Sequence, residues 1–207
     1  MVTSTVRPNQ TASNVTLNSG DYLFVSSGAT VINGSIAAGA SVYVNAAAVL
    51  SGSIRNGGRI SGGTLQGPDT TLTNSAGGYL EAAAIGSGAV VTNSGYMTSV
   101  VVASGGIVNT YDGPVTSTIV QGGTLNCYSR DIISGITFAG QGGTVNLMSG
   151  VVQTAPFVFS GNGTVYVQSG AVMGKASIGP GATMEVLGGG GDQLHNHGVF
   201  RRHTHLQ

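Results

Sequence analysis

Small and apolar residues recur along this chain in a fixed four-residue order. A Gly, once replaced by Asn, is followed by Gly or Ala, then by a β-branched residue or Ser, and then by Val, Leu or Met. Glycine reaches positive φ angles without a steric penalty, the third residue suits a pleated strand, and the fourth is expected to point into a core. The pattern predicts short strands separated by glycine corners. The nine copies begin at Gly28, Gly39, Gly88, Gly105, Gly122, Gly142, Asn162, Gly170 and Gly181.

The spacing of the copies gives the length of the repeat. Copies at positions 88, 105, 122, 142, 162 and 181 are separated by 17, 17, 20, 20 and 19 residues, and the copies at 28 and 39 by eleven. A unit of this size that recurs along a chain is typical of a solenoid whose coils bury one another, and no segment shows helical periodicity. We therefore predict an all-β fold, a parallel β-helix (β-solenoid) of about nine coils of roughly nineteen residues, with two glycine-rich corners in each coil.

The boundaries of the solenoid follow from changes in composition. The repeats extend over residues 14–187. Residues 1–13 include Pro8 and many polar residues, and we expect them to cap the first coil, because uncovered strand edges pair with other chains. Four consecutive glycines, 188–191, are expected to open a linker, so that residues 188–207 form a Gly linker and a flexible His/Arg tail.

Aligned copies also indicate which residues have a structural role. Asn109, Asn126 and Asn146 each follow the apolar position of a copy, and stacking would bring their amides together as an inward or corner ladder. We assign a structural role to this ladder and to the glycines of the copies, which are Gly28, Gly39, Gly88, Gly105, Gly122, Gly142, Gly163, Gly170 and Gly181.

Charge and cysteine content exclude several classes of protein. Only 7% of the 207 residues are charged, and seven Lys and Arg balance seven Asp and Glu, which argues against a nucleic-acid partner. Cys127 is the only cysteine, so no intramolecular disulfide can form, and we expect a buried, unreactive thiol. We also expect no membrane span, since no stretch approaches the roughly 18 apolar residues that one needs, and we find no export signal in this chain.

All four histidines lie in the tail. They form two His-x-His pairs, and histidines two apart on an extended strand face the same side and could share a transition metal. The spacing resembles the metal-binding tips of trimeric phage tail spikes and fibres, so a trimeric tail-spike segment is an alternative interpretation. The simpler interpretation is a flexible tail, with no cofactor in the protein. The candidate metal ligands are His195, His197, His203 and His205.

Acidic and aromatic residues offer two further candidate sites. Asp112 and Asp131 lie nineteen residues apart, one coil, and could form a carboxylate pair for Ca²⁺ or for acid–base work on a glycan. A carbohydrate-active enzyme is therefore a second alternative, although Arg130 is the only nearby cation and we expect no enzyme. Tyr111 and Tyr128 are seventeen residues apart, again one coil, either as partly buried strand residues or as exposed steps for sugars or proteins.

The repeats themselves resemble a known family. Segments such as Ser19 to Val31 and Val101 to Thr110 resemble the roughly nineteen-residue repeats of AIDA-type adhesin autotransporter passengers, and the resemblance covers residues 14–187. It implies a right-handed β-helix on the bacterial surface that mediates adhesion, self-association and biofilm formation. It also implies O-glycosylation of serines by a glycosyltransferase. The candidate acceptors are the corner serines Ser26, Ser27, Ser87, Ser94 and Ser104.

Together these features favour a non-enzymatic, extracellular or bacterial surface solenoid that acts in adhesion or self-association. Its expected partners are further copies of the same protein and host or bacterial surface glycans. A rod with no net charge suits self-association, because charge repulsion does not keep the copies apart.

Overall fold

The protein is a stack of short parallel strands. A computed structural model describes residues 1–128, 133–153 and 156–187, and the backbone of 191–194 and 199–203. These residues contain β-strands and no helix. The strands are β1 (Thr3–Val6), β2 (Thr11–Leu17), β3 (Tyr22–Val25), β4 (Thr30–Ile36), β5 (Ser41–Asn56), β6 (Arg59–Leu65), β7 (Thr70–Asn74), β8 (Tyr79–Glu81), β9 (Ala84–Ile85), β10 (Ala89–Asn93), β11 (Tyr96–Thr98), β12 (Val101–Ala103), β13 (Ile107–Thr110), β14 (Val115–Thr116), β15 (Ile119–Gln121), β16 (Thr124–Cys127), β17 (Ile133–Ser134), β18 (Thr137–Phe138), β19 (Thr144–Leu147), β20 (Val152–Gln153), β21 (Phe157–Phe159), β22 (Thr164–Val167), β23 (Val172–Ile178), β24 (Thr183–Leu187), β25 (Gly191–Leu194) and β26 (Val199–His203).

Parallel pairing arranges most of these strands in three columns that run along the stack, while β20, β21 and β25 pair with β23. The first column contains β1, β3, the beginning of β5 and of β6, β8, β11, β14 and β17. The second contains the beginning of β2 and of β4, the middle of β5, the end of β6, β9, β12, β15 and β18. The third contains the end of β2, of β4 and of β5, followed by β7, β10, β13, β16, β19, β22, β24 and β26.

The register confirms the predicted β-solenoid. Paired residues of neighbouring coils lie between fifteen positions apart, as Val49 and Thr64 do, and twenty, as Thr124 and Thr144 do. The result is about nine turns spaced about nineteen residues apart. The right-handed sense stays a prediction.

The prediction of two glycine-rich corners in each coil is incomplete, because the three columns require a third corner. The chain turns from the first column into the second at Ala82, Ser99, Ser117 and Gly135, whose φ angles are 52°, 54°, 51° and 64°. Three of these four residues are not glycine, although they have left-handed φ angles that glycine adopts most easily. The glycine pattern therefore did not reveal this corner.

The core is a continuous apolar interior, and the fourth residue of every repeat lies in it as predicted. Side chains alternate along each strand between this interior and the outer surface, as pleated strands require. The interior is formed mainly by Val, Leu, Ile, Phe and Met. The fourth residues, all buried, are Val31, Val42, Val91, Val108, Leu125, Val145, Val165, Met173 and Met184.

Most glycines of the repeats stand at corners with left-handed backbones. Eight of the nine assigned glycines have φ angles between 72° and 85°. Gly163 differs, because it is the second residue of its copy: a Cβ there would collide with the ring of Phe138. At Gly163 it is thus close packing that requires glycine.

Both ends of the chain contribute paired strands. β1 and β2 form the first coil, where the Asp21 carboxylate accepts hydrogen bonds from the backbone N–H groups of Val2 (2.7 Å) and Asn18 (3.0 Å). These two bonds hold the pKa of Asp21 below its usual value. Past residue 187, β25 and β26 pair with β23 and β24. The cap at 1–13 and the flexible tail at 188–207 stay predictions.

Candidate functional site

The asparagine ladder predicted from the repeats lies on the outer surface of the third column. Asn126 donates from Nδ2 to Oδ1 of Asn109 (2.9 Å), and Asn146 donates to Oδ1 of Asn126 (2.7 Å). All three are half-buried, and the residues on either side of each, such as Val108 and Thr110, are buried. Strand alternation therefore turns the three amides outward, which corrects the expectation of an inward ladder.

A second asparagine ladder, which the sequence analysis missed, lies inside the solenoid. Asn56, Asn74 and Asn93 are fully buried in successive coils of the third column. Asn56 donates to Asn74 (2.8 Å), Asn74 to Asn93 (2.7 Å), and Asn93 to the hydroxyl of Thr110 (3.1 Å). The signal was present in the sequence, because each of these residues comes two positions after a buried residue of the third column.

Each buried amide also forms hydrogen bonds with backbone groups at or next to a corner. Asn56 donates to the carbonyl of Tyr79 (2.9 Å), and Asn74 donates to the carbonyl of Tyr96 (3.1 Å). The Asn56 Oδ1 accepts a hydrogen bond from the backbone N–H of Gly58 (3.2 Å). A buried polar group is costly unless it is hydrogen-bonded, so this network makes polar side chains tolerable in the core.

The outer surface of the third column is uncharged over many coils. No charged residue occurs in β7, β10, β13, β16, β19 or β22. Its outward side chains are mostly Thr and Asn, with a few apolar residues such as Ile107, which is 37% exposed. We call the outer surface of these six strands the uncharged surface. Such a surface can approach an identical one without electrostatic repulsion.

Aromatic rings on the outer surface stack in pairs, one ring from each of two adjacent coils. The ring centroids are 5.3 Å apart in the Phe24–Tyr43 pair, 4.7 Å in Tyr79–Tyr96 and 4.9 Å in Tyr111–Tyr128, and the planes of each pair lie within 15° of parallel. These distances match the spacing of adjacent strands, about 4.8 Å. The predicted alignment of Tyr111 with Tyr128 is confirmed, and Tyr111 is 38% exposed.

An ion pair lies between two of these stacks on the first column. Arg59 binds Oε1 of Glu81 through both Nε (3.1 Å) and Nη2 (2.5 Å). The hydrogen bond from Arg59, followed by one with Ser61, lowers the pKa of Glu81, and the same pairing raises the pKa of Arg59. The two charges neutralise each other, so the first column presents polar groups with little net charge here.

The serine candidates for glycosylation differ in accessibility. Ser27, Ser87 and Ser104 are exposed, whereas Ser26 and Ser94 are half-buried. Ser87 and Ser104 stand at the same corner in neighbouring coils, each directly before a left-handed glycine. An exposed hydroxyl at a corner is open to an incoming enzyme.

Several other candidates lie partly or wholly outside the described residues. Asp131 and Arg130 lie outside them, so the structure does not report a pairing with Asp112, which is exposed. His195, His197 and His205 also lie outside, and only the backbone of His203 is described.

The described residues contain no cluster of three or more His, Cys, Asp or Glu that could hold a metal ion. Cys127 is fully buried, as predicted. No helix long and apolar enough to cross a membrane occurs within the described part of the chain.

The chain is similar to a solved protein structure. No protein-family model matches the chain, and no curated protein matches it. A similar solved structure is the crystal structure of a TibC-catalysed hyper-glycosylated fragment of TibA, positions 55 to 350. The two are 18% identical, the match covers 95% of this chain and 92% of the fragment, and the TM-score is 0.49. The assignment of the fold rests on the strand pairing described above.

Proposed function

We propose that this solenoid is a non-enzymatic adhesion and self-association module that works outside the cell or on a bacterial surface. The observation that supports it best is the uncharged surface of the third column, which is regular and lined mostly by Thr and Asn side chains. Two copies that meet through this surface exchange side-chain hydrogen bonds and bury scattered apolar residues such as Ile107. The resemblance of the repeats to adhesin passengers points the same way.

Glycosylation of the exposed corner serines is part of this proposal. Ser27, Ser87 and Ser104 project from corners and leave the uncharged surface free for contacts between copies. The expected partner is a glycosyltransferase that modifies the folded or folding rod. Intact-mass measurement after co-expression with such an enzyme should show added hexose or heptose units that fall in number when these three serines are replaced by Ala.

Sedimentation velocity at several protein concentrations tests self-association. We expect the wild-type chain to form larger species as its concentration rises. Thr73→Lys combined with Thr124→Lys places two positive charges on the uncharged surface of each copy, and this variant should remain monomeric because like charges repel across the contact. Both side chains point outward in the structure.

A matched control carries the same charges on the second column. Ile32→Lys combined with Ile119→Lys replaces two side chains that are each 37% exposed, and it should associate as the wild type does. A wild type that stays monomeric at every concentration would refute self-association, and equal dispersal of both variants would refute the assigned surface. A concentration-independent trimer would favour the tail-spike alternative instead.

A further inference from the structure

The corner between the first and second columns shortens abruptly from the third coil to the fourth. Four residues, 45–48, make this corner in β5, whereas the single residue Gly63 makes it in β6. Gly62 and Gly63 have φ angles of 86° and 78°, and a Cβ on either would collide with Val44. Only glycine permits so tight a corner there. The corner loop of the third coil is three residues longer, and we call this loop the step.

The step forms one wall of a groove on the first column. Within the loop, Asn45 Oδ1 accepts a hydrogen bond from the backbone N–H of Ala47 (3.3 Å), and the carbonyl of Ala47 accepts one from Gly28 in the preceding coil (3.2 Å). The loop is therefore held from within and from the coil behind it. The groove has a volume of about 430 Å³, and its lining includes Phe24, Ser26, Tyr43, Asn45, Ser61 and Gly62.

An aromatic stack ends beside this groove. The rings of Phe24 and Tyr43 stack at 5.3 Å with 15° between their planes. The next residue in the same register is Ser61, whose small side chain follows Tyr43 where a third ring would continue the stack. Tyr43 is 38% exposed, and its ring face toward the fourth coil borders the groove.

Polar groups surround the end of the stack. Glu81 follows Ser61 in the register, and Arg59 fixes its carboxylate through two hydrogen bonds. The pKa of Glu81 is lowered, so the carboxylate stays ionised at neutral pH, while Arg59 balances its charge. The Ser61 hydroxyl and the Asn45 amide thus lie beside Tyr43 in the groove, and the Glu81 carboxylate lies one coil beyond Ser61 with its charge balanced.

We propose that this groove, the Tyr43 groove, binds a neutral saccharide. A pyranose ring would pack its C–H face against Tyr43 over Ser61, and its hydroxyls would exchange hydrogen bonds with Ser61, Asn45 and the carboxylate of Glu81. The inference rests on the proposed adhesive function and names the class of ligand for it. Self-association involves a different surface, so each proposal can fail without the other.

The size and charge of the groove favour a saccharide over a second copy of the chain. Its volume of about 430 Å³ falls within the range of small-molecule sites, about 300–1,000 Å³. A groove this short offers much less contact than the roughly 800 Å² per partner that a stable protein interface buries. The pairing of Arg59 with Glu81 removes the unbalanced charge that an acidic or basic ligand would need.

NMR titration of the ¹⁵N-labelled full chain tests this proposal with lactose, maltose and chitobiose as neutral probes. At least one probe should produce saturable shifts that centre on the backbone amides of Ser26, Tyr43, Asn45 and Ser61. Tyr43→Ala should weaken binding at least tenfold, whereas Tyr43→Phe, which keeps the ring, should bind within threefold of the wild type. Ser61→Leu should abolish binding by filling the groove.

The matched control is Tyr96→Ala, because Tyr96 is also a stacked, exposed tyrosine of the first column, 45% exposed, but lies outside the groove. It should bind as the wild type does. The proposal is overturned if none of the three probes gives saturable shifts, if Tyr96→Ala weakens binding as much as Tyr43→Ala, or if Ser61→Leu still binds. Shifts at the same amides that depend on protein concentration without sugar would assign the groove to a second copy and overturn it as well.

Discussion

Replacing Gly34 by Ala should stabilise the solenoid. Inward positions of the third column are filled by aliphatic residues in the neighbouring coils, where Val15 and Ile54 pair with Gly34. Gly34 has no side chain at this position and lies beside a small apolar cavity lined also by Leu23 and Ile36. The core is therefore underfilled at this one point of the column.

The structure shows that a methyl group fits there. A Cβ on Gly34 would lie 3.7 Å from Cδ1 of Ile36 and 3.7 Å from the carbonyl oxygen of Val15, both ordinary contact distances. Gly34 is not among the residues with a positive φ, so alanine adopts its backbone without strain. Burying one methyl group contributes about 0.8 kcal/mol, and reducing the freedom of the unfolded chain contributes about 0.4–1 kcal/mol. We expect the free energy of unfolding to rise by about 1–2 kcal/mol.

Equilibrium urea unfolding followed by far-UV circular dichroism measures this change. The midpoint should move to higher urea with an unchanged m-value. Gly58→Ala is the matched control, because a Cβ on Gly58 would lie 2.6 Å from the carbonyl oxygen of Ala37, and its midpoint should fall. If Gly34→Ala leaves the midpoint unchanged or lowers it, the assignment of an underfilled inward position is wrong.

Three further predictions concern the ladder, a corner and pH. Asn74→Ala should lower the free energy of unfolding by about 3 kcal/mol or more, because it leaves several buried polar groups without hydrogen bonds. Asn126→Ala, on the half-buried outer ladder, should lower it by less than about 1 kcal/mol, since water replaces the lost bonds. Urea unfolding compares the two variants. Ser117→Gly should raise the free energy of unfolding by about 0.5–1 kcal/mol by removing left-handed strain. Gly135→Ala, at the equivalent corner of the next coil, should lower it. A loss of stability in Ser117→Gly would contradict the strain. Asp21 has a lowered pKa in the folded protein. It therefore contributes stability above its unfolded pKa, and this stability is lost as the pH falls through the folded pKa. The urea midpoint should drop in acid, and Asp21→Asn should flatten that drop.

The repeat made the fold predictable, whereas the candidate site came only from the structure. The spacing of glycine and aliphatic residues fixes the coil length, and the buried fourth residues follow from strand alternation. The corner at Ser99 and Ser117 could not be predicted from the glycine pattern, because residues other than glycine adopt its left-handed backbone. The Tyr43 groove depends on a change of corner length between two coils, which a repeat alignment treats as an irregular gap.

The spacing of the tyrosines predicts which rings align, but not whether those rings are exposed. Sequence spacing brings Tyr111 and Tyr128 together, but it does not distinguish a buried ring from an exposed one. The Phe24–Tyr43 stack was missed because it mixes two residue types, although the two residues lie nineteen positions apart, one coil. Ser61 becomes a candidate binding residue only because the register places it directly after Tyr43.

The buried asparagines also bear on how such a chain finds the right order of its coils. Aliphatic repeats are nearly interchangeable, and a coil that skipped its neighbour could still bury its Val and Leu side chains. The interior polar run from Asn56 to Thr110 does not allow this, because a coil displaced along the stack would set an amide against the buried side chain of Cys127 or Leu147 and leave its hydrogen bonds unmade. The four coils that carry these polar residues thus fix the order in which they stack, and the more uniform coils on either side add to a stack whose order is already set.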